Sequence, residues 1–335
     1  IEVRPTFTGR LNLSNILSLT NDFTQSENAH LTLALNSLIN PANARITAQD
    51  INLAGTLAIT YSASVAEATF NLFNASGSIN GTFDEILLPS LGNGFAWDLS
   101  NLYTTGDISI IKVPGHISQA PMLWLNAQDE PTLIQNESDE ITTWVNKAGT
   151  DVASNAASTA TYRPTVETNK INGLSSVILT NDFVTSSSTV NPQTMIFVFK
   201  EVSSGKADTS LVVGDYAGWY PSYAFKANRA VDGLGEFFTR AMDGSWSDAD
   251  GPQLYQTGYH IITAVWEPQV SISYYVDGQL INTGTDSNPE LAPVQFHIGG
   301  SFWNSDTVTG SDGEIAEVIL FQSALSEGDR ELVES

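Results

Sequence analysis

Three segments rich in glycine and polar residues carry large aromatic side chains: Gly214–Tyr223, Asp243–Gly251 and Gly299–Asp306. A loop indole or phenol ring can stack on the apolar face of a sugar ring, while nearby amide, carboxylate and guanidinium groups hydrogen-bond its hydroxyls. An alternative remains open, in which these rings only pin long loops onto the domain beneath them. The predicted ligand-binding set is Trp219, Tyr220, Tyr223, Arg240, Trp246 and Trp303.

The same segments hold carboxylates that could bind a hard cation. Ca²⁺ takes about six to eight oxygen ligands, and loop carboxylates supply them readily. The candidates for a structural Ca²⁺ site are Asp248, Asp250, Asp306 and Asp312. Their spacing reproduces neither an EF-hand nor a glycine-rich nonapeptide repeat, so ordinary solvated carboxylates are the competing interpretation.

Catalysis by paired carboxylates has one candidate segment, Asp312-Gly-Glu314-Ile-Ala-Glu317. Jelly-roll glycosidases place two carboxylates on one strand face, in an order such as Glu-x-Asp-x-x-Glu. Here the order differs, and strand alternation predicts that Glu314 and Glu317 point to opposite faces. We therefore expect a non-catalytic protein. No Gly-x-Ser-x-Gly elbow or phosphate loop is present, and the four histidines are scattered.

The composition of the chain limits the classes of partner and the cellular compartment that we expect. The chain has 13 basic and 37 acidic residues, a net charge of -24, and no cysteine. A nucleic-acid backbone would be repelled, so nucleic acid is excluded as an expected partner. No apolar run is long enough for a membrane span. We expect a secreted, extracellular or cell-surface protein, with Ile1 as the start of a processed or excised form.

In the first 113 residues, short runs of alternating apolar and polar residues predict strands separated by polar turns. The motifs are Gly55-Thr-Leu, Phe70-Asn-Leu-Phe, Gly81-Thr-Phe-Asp, Ala96-Trp-Asp-Leu-Ser and Leu102-Tyr-Thr-Thr-Gly. Their order over residues 11–111 resembles the closing unit of autotransporter-associated β-strand-repeat proteins, bacterial surface proteins often of the PEP-CTERM type. The resemblance implies a last β-solenoid rung or two, capped by a small β-sandwich.

A Pro- and Gly-rich linker, residues 114–121, precedes a second domain at 122–335. This domain has strand patterns throughout, among them Glu236–Arg240, Ser271–Val276 and Val294–Ile298. It also has an Asp277-Gly278 hairpin turn and one helix starting at Ser326. Its motifs include Leu-Trp-Leu-x-Ala, Tyr-Tyr-Val-Asp-Gly and Gly-Glu-Ile-Ala-Glu-Val-Ile-Leu-Phe. They are similar to laminin-G-like, concanavalin A-like jelly rolls. The predicted fold is all-β: a β-solenoid or small sandwich followed by this jelly roll. The predicted core tryptophans are Trp97, Trp124, Trp144 and Trp266.

Two functional hypotheses from different classes follow. In the first, the jelly roll of a surface protein binds a glycan or another surface ligand without cleaving it, as in adhesion. In the second, the chain is a structural subunit of an extracellular filament, sheath or surface layer. Such a subunit would self-associate through its N-terminal strand, within Ile1–Phe7, or through a solenoid edge. A polysaccharide-degrading enzyme is the third, least supported hypothesis.

Overall fold

The fold is known from a computed structural model, which describes residues 6–36, 43–92, 94–149, 156–157, 162–202, 209–214, 222–228, 234–240, 246–254, 257–288, 294–302 and 308–335. Nearly all regular structure within these ranges is β, as the sequence predicts. No helix in the described ranges is long and apolar enough to cross a membrane.

The N-terminal part is a parallel β-solenoid built from short strands. Its strands and those of its cap are β1 (Thr6–Phe7), β2 (Arg10–Leu13), β3 (Ile16–Ser18), β4 (Phe23–Gln25), β5 (His30–Leu35), β6 (Arg45–Ala48), β7 (Ile51–Leu53), β8 (Thr56–Tyr61), β9 (Ala68–Asn71), β10 (Phe73–Ala75), β11 (Ile79–Gly81), β12 (Glu85–Leu87), β13 (Phe95–Asp98) and β14 (Asp107–Lys112).

Three parallel sheets form the solenoid walls, in the orders β1-β4-β7-β11, β2-β5-β8-β12 and β3-β6-β10. The described strands make three full coils and part of a fourth, more than the rung or two expected from the sequence. An antiparallel sheet, β13-β14-β9, closes the end of the solenoid. The strands alternate buried and half-buried residues, as in β5, because one face of each wall lines the solenoid interior.

Polar side chains repeat from coil to coil and fix the register of the solenoid. The Asp50 N–H donates to Asp22 Oδ1 at 3.2 Å, and the Ser78 N–H donates to Asp50 Oδ1 at 2.8 Å. The pairs are each 28 residues apart. Asn52 donates in the same way to Thr24 Oγ1 at 3.2 Å. Equivalent residues therefore stack on successive coils, so that neighbouring coils satisfy each other's polar groups.

The C-terminal part is a sandwich of two large sheets. Its elements are β15 (Leu123–Asn126), β16 (Leu133–Gln135), β17 (Ile141–Trp144), β18 (Ala156–Ala157), β19 (Thr165–Ile171), β20 (Leu174–Asp182), β21 (Val184–Val190), β22 (Thr194–Glu201), β23 (Thr209–Gly214), β24 (Ser222–Asn228), β25 (Glu236–Arg240), β26 (Trp246–Asp250), β27 (His260–Glu267), β28 (Ser271–Val276), β29 (Gln279–Thr285), β30 (Val294–Ile298), β31 (Gly300–Phe302), β32 (Val308–Phe321) and α1 (Glu327–Glu334).

One sheet has the order β19-β20-β32-β22-β27-β28-β29, with β15 and β31 also paired to β32. The other sheet has the order β16-β17-β18-β21-β30-β23-β24-β25-β26. This is the predicted jelly-roll sandwich, and its core holds Trp144, Phe197, Phe225 and Trp266 among others. All four tryptophans predicted for the core are buried, Trp97 and Trp124 included.

Two predicted local features are confirmed. Asp277 and Gly278 have φ values of 50° and 78°, as a type I′ turn between β28 and β29 requires. Ser326 caps α1: its Oγ accepts from the Asp329 N–H at 3.2 Å and donates to Asp329 Oδ2 at 2.9 Å.

The solenoid and the sandwich pack directly on each other. Ile134 and Val145 of the sandwich belong to the hydrophobic cluster of the solenoid. A further cluster joins Val113 and Ile117 to Trp124 and to residues of β22 and β32. The two parts therefore share apolar contacts on both sides of the linker.

Candidate ligand-binding site

Two of the predicted ligand-binding residues lie opposite each other on one hairpin. Strand β25 pairs antiparallel with β26, in the register Arg240↔Trp246, Phe238↔Asp248 and Glu236↔Asp250. The sequence predicts a loop for residues 243–251, but residues 246–250 form a strand. The hairpin thus brings Arg240 and Trp246 together with two of the predicted cation ligands, Asp248 and Asp250.

Three carboxylates converge on this hairpin. Glu236, Asp248 and Asp250 each offer an oxygen, and these oxygens lie within 4.8 Å of one another. Glu236 is buried, and the two aspartates are half-buried. Strand alternation places Asp248 and Asp250 on one face of β26, and pairing places Glu236 beside Asp250. Such a set of oxygens can contribute to the coordination of a hard cation such as Ca²⁺.

A lysine of the neighbouring strand borders the carboxylates. Lys226 of β24 lies opposite Glu236 in the register, with its Nζ 3.9 Å from Glu236 Oε2. The same Nζ lies 5.2 Å from the centroid of the Phe238 ring. This face of the sheet therefore holds both charges beside an aromatic ring, and Glu236 and Phe238 are themselves buried there.

Other predicted site residues do not join this hairpin. Tyr223 is fully buried in the sandwich core, so its assignment to the ligand surface is wrong: in β24 its position alternates inward and the ring packs with the core. Asp312 lies in the opposite sheet, on β32, where its Oδ1 accepts from the Asn181 N–H at 2.8 Å. It is therefore separated from Asp248 and Asp250. Trp219, Tyr220, Trp303 and Asp306 lie outside the described residues.

Glu236 is the residue that the sequence interpretation missed. Its strand was predicted with the correct bounds, Glu236–Arg240. Pairing that strand with residues 246–250 as a hairpin places Glu236 opposite Asp250. The sequence predicts a loop for the second segment, and a loop gives no such pairing.

The prediction that Glu314 and Glu317 point to opposite faces is wrong. Glu317 pairs with Val198 and Glu314 with Lys200, and a β-bulge interrupts the register between them. Val198 and Lys200 are two residues apart and share a face, so the bulge puts both glutamates on the same face of β32. Simple alternation fails because the bulge inserts one extra residue.

The two glutamates have different partners and opposite pKa shifts. Burial raises the pKa of Glu317 above its ordinary value, although its Oε1 accepts hydrogen bonds from Trp124 Nε1 at 2.6 Å and Asn126 Nδ2 at 2.9 Å. Burial also acts on Glu314, but hydrogen bonds from Tyr259 and Lys200 outweigh it and lower the pKa. Lys200 Nζ lies 3.0 Å from Glu314 Oε1. Both carboxylates are therefore engaged by neighbouring side chains.

Comparison with known proteins agrees with the fold of the second domain. Residues 172–329 match the family described as the concanavalin A-like lectin/glucanases superfamily. The C-terminal region is thus a laminin-G-like, concanavalin A-like jelly roll. No curated protein sequence matches the chain.

Several solved structures are similar at low sequence identity. The botulinum neurotoxin serotype D binding domain has a TM-score of 0.42 and 12% identity, with 64% of this chain and 50% of that chain covered. The chain thus spans half the length of that structure. Domain 4 of AbnA, a GH43 extracellular arabinanase from Geobacillus stearothermophilus, solved with arabinotriose, has a TM-score of 0.42 and 12% identity, with 64% and 98% covered. The CBM40 of a Ruminococcus gnavus IT-sialidase, bound to α2,3-sialyllactose, has a TM-score of 0.34 and 16% identity, with 43% and 82% covered.

Proposed function

We propose that this chain is an extracellular bacterial surface protein whose jelly roll binds a glycan without cleaving it. The observation that carries the proposal is the β25–β26 hairpin, which pairs Arg240 with Trp246 beside three carboxylates. An arginine and a tryptophan at paired positions of the hairpin that carries these carboxylates are residue types that bind a sugar ring and its hydroxyls. The resemblance of residues 11–111 to closing units of bacterial surface proteins supports the location.

The binding experiment uses purified full chain on a glycan array, followed by calorimetry with the best ligand. We expect Trp246→Ala and Arg240→Ala to weaken binding at least tenfold, which corresponds to about 1.4 kcal/mol. Arg10→Ala is the matched control, because Arg10 is an exposed arginine on the solenoid. Unchanged binding in both hairpin variants would refute this site. Trp219→Ala and Trp303→Ala then test the predicted loop residues.

We also propose that Ca²⁺ binds at the hairpin as a structural ion. The support is the convergence of Glu236, Asp248 and Asp250. Saturation at 100 times the Kd stabilises the folded state by about 2.7 kcal/mol, so the melting temperature rises with Ca²⁺. Asp250→Asn should abolish the rise, whereas Asp312→Asn, in the other sheet, should retain it. A melting temperature of the parent chain that does not change when Ca²⁺ is added would overturn this assignment.

A second candidate function, a structural subunit that self-associates, has its own observation. Strands β1, β2 and β3 stand at the ends of their parallel sheets and have a described strand neighbour on one side only. Edge strands of this kind can pair with another chain. Light scattering coupled to size exclusion separates the two functions. A monomer near 36.0 kDa favours glycan binding alone, and regular polymers in negative-stain micrographs favour assembly.

The proposal of a non-catalytic protein also has a direct test. Glu314 and Glu317 share a face, and opposite pKa shifts on neighbouring carboxylates are a property of acid–base pairs. Their dense hydrogen bonding favours a structural role. Incubation with polysaccharides should release no oligosaccharide. Release that Glu314→Gln or Glu317→Gln abolishes would make the protein an enzyme.

A further inference from the structure

A buried lysine and a buried aspartate face each other where the solenoid meets the sandwich. Lys147 Nζ lies 2.6 Å from Asp129 Oδ2, and both side chains are almost completely buried, at 5% and 2% exposed. A second carboxylate, that of Asp98, approaches the same amine, with Oδ1 at 3.7 Å. Asp98 belongs to the solenoid cap and the other two residues to the sandwich. Lys147 and Asp129 thus meet almost out of contact with water, and Asp98, whose side chain is 28% exposed, borders them on the solenoid side.

The two carboxylate oxygens of Asp129 differ in their hydrogen bonds. Its Oδ2 accepts from Lys147 and from the Leu99 N–H at 3.0 Å. Its Oδ1 is buried and has no hydrogen-bond partner among the described residues. Burial is the main cause of the raised pKa of Asp129, against the charge of Lys147. A carboxyl oxygen left without a partner in a dry site favours the protonated acid over the carboxylate.

Both partners are held rigidly by their backbones. The Asn146 side chain accepts from the Trp124 N–H at 2.9 Å and donates to the Met122 and Gly149 carbonyls. The Lys147 carbonyl accepts from the Trp97 N–H at 2.8 Å. On the other side, Thr132 Oγ1 donates to the Asp129 carbonyl at 2.6 Å. The amine and the carboxyl therefore meet in a fixed geometry. Because Cγ is one bond from Oδ2, Nζ lies within about 4 Å of the carboxyl carbon, close to attack distance.

We propose that Lys147 and Asp129 react with each other to form an intramolecular amide cross-link. A proton first passes from the ammonium of Lys147 to the carboxylate of Asp129, which leaves a neutral amine and a neutral acid in the buried site. The Nζ lone pair then forms a bond to Asp129 Cγ, and the Leu99 N–H stabilises the resulting oxyanion. Asp98 takes a proton from the nitrogen and returns it to the leaving hydroxyl. The Cγ–O bond breaks, and one water leaves.

The geometry also assigns a condition to the reaction. Asp98, which carries the proton, and Leu99, which donates to the oxyanion, both lie at the end of the solenoid cap. The reacting pair belongs to the sandwich. The cross-link therefore forms only after the solenoid has docked, and it fixes the turn before β16 to the segment after β17. The indole of Trp124, 4.9 Å from Nζ, covers the pair on another side.

The test is intact-mass spectrometry of the folded full chain, followed by peptide mapping. We expect a mass lower than that of the sequence by one water, and a branched peptide that joins Lys147 to Asp129. Lys147→Arg keeps the positive charge but is not expected to form the amide, so it should show the full mass. Asp98→Asn should also show the full mass, although both reacting groups remain. Circular dichroism spectra like that of the parent establish that these variants fold.

Lys200→Arg is the matched control. Lys200 also contacts a carboxylate, Glu314 at 3.0 Å, but its side chain is 34% exposed. This variant should keep the mass deficit, and the map should show Lys200 unlinked. A parent chain at full mass after prolonged incubation overturns the proposal. So does a deficit of one water that persists in Lys147→Arg, because an internal imide at an Asp-Gly step, which also forms with loss of water, would then be its source.

Discussion

Asp286 is a buried carboxylate that connects the two sheets of the jelly roll, and its replacement by alanine tests how much this connection contributes to the free energy of unfolding. Oδ2 accepts from Trp266 Nε1 at 2.7 Å and from the Gln269 N–H at 3.2 Å. Oδ1 accepts from Thr239 Oγ1 and from the Asn288 N–H, both at 3.1 Å. Trp266 lies in β27 of one sheet, whereas Thr239 lies in β25, the strand that carries Glu236.

Asp286→Ala leaves four donors without their acceptor in a region closed to water. Each buried donor that loses its partner costs about 1–3 kcal/mol. Thr239 Oγ1 still accepts from Asn288 Nδ2 at 3.0 Å, so this hydroxyl keeps one hydrogen bond after the substitution. Water entering the space of the lost carboxylate offsets part of the remainder. We expect a loss of about 3–5 kcal/mol in the free energy of unfolding.

Urea unfolding followed by tryptophan fluorescence measures this loss. With an m value of about 3 kcal/mol/M, the midpoint of the sandwich transition should fall by at least about 1 M. Glu137→Ala removes an exposed carboxylate and should change stability by no more than about 0.5 kcal/mol. Asp286→Asn should fall between the two, because its amide keeps one acceptor. A loss below about 1 kcal/mol for Asp286→Ala would refute the role of the carboxylate as a connection.

Further predictions concern pH and the packing of the C-terminal helix. The pKa of Glu314 is lowered in the folded state, so the carboxylate stabilises the fold above its ordinary pKa. This stabilisation is lost as pH falls through the lowered pKa. The melting temperature of Glu314→Gln should therefore depend less on pH on the acid side than that of the parent chain. The pKa of Glu317 is raised, so the stability that this residue contributes is full below its ordinary pKa and is lost as pH rises through the raised pKa. Glu317→Gln should show a smaller decline in melting temperature over this pH range. Gly115 has φ 72°, and a Cβ there would lie 2.5 Å from the Leu332 backbone, so Gly115→Ala should cost about 2 kcal/mol in thermal unfolding. Gly328→Ala, in open space within α1, should instead stabilise by about 0.5–1 kcal/mol.

Strand periodicity and turn chemistry predict most of the sandwich because both are local. Strands β25, β28 and β30 have the predicted bounds, and the Asp277-Gly278 turn follows from two residues that tolerate positive φ. The sequence predicts only one or two coils of the solenoid, whereas the structure has three full coils and part of a fourth. Its 28-residue repeat is carried by single polar residues, Asp22, Asp50 and Ser78, whose identities change between coils. A weak repeat of this kind becomes visible only when the coils are stacked.

The sequence predicts the residues of the candidate site but not the pairing of strands β25 and β26 that brings them together. Residue type alone predicts Arg240, Trp246, Asp248 and Asp250 as site residues. Their grouping depends on the pairing of two strands, and the glycine at position 244 favours a loop there instead. Tyr223 failed for the opposite reason. It follows a Gly- and aromatic-rich segment, yet it is the second residue of a strand and points into the core. The aromatic content of a segment does not determine which face a side chain takes.

The cluster around Lys147 shows why chemistry at a domain junction escapes sequence analysis. Lys147, Asp129 and Asp98 have no motif spacing, since two come from loops of the sandwich and one from the end of a cap strand. Each is unremarkable alone, and a lysine in a loop is normally solvated. When the solenoid cap docks on the sandwich, Lys147 and Asp129 lose their contact with water. The ion pair then becomes an amine and an acid held in contact in a fixed geometry. Reactivity of this kind is a property of the assembled pair of domains, so the mass of the folded full chain is the observation that tests it.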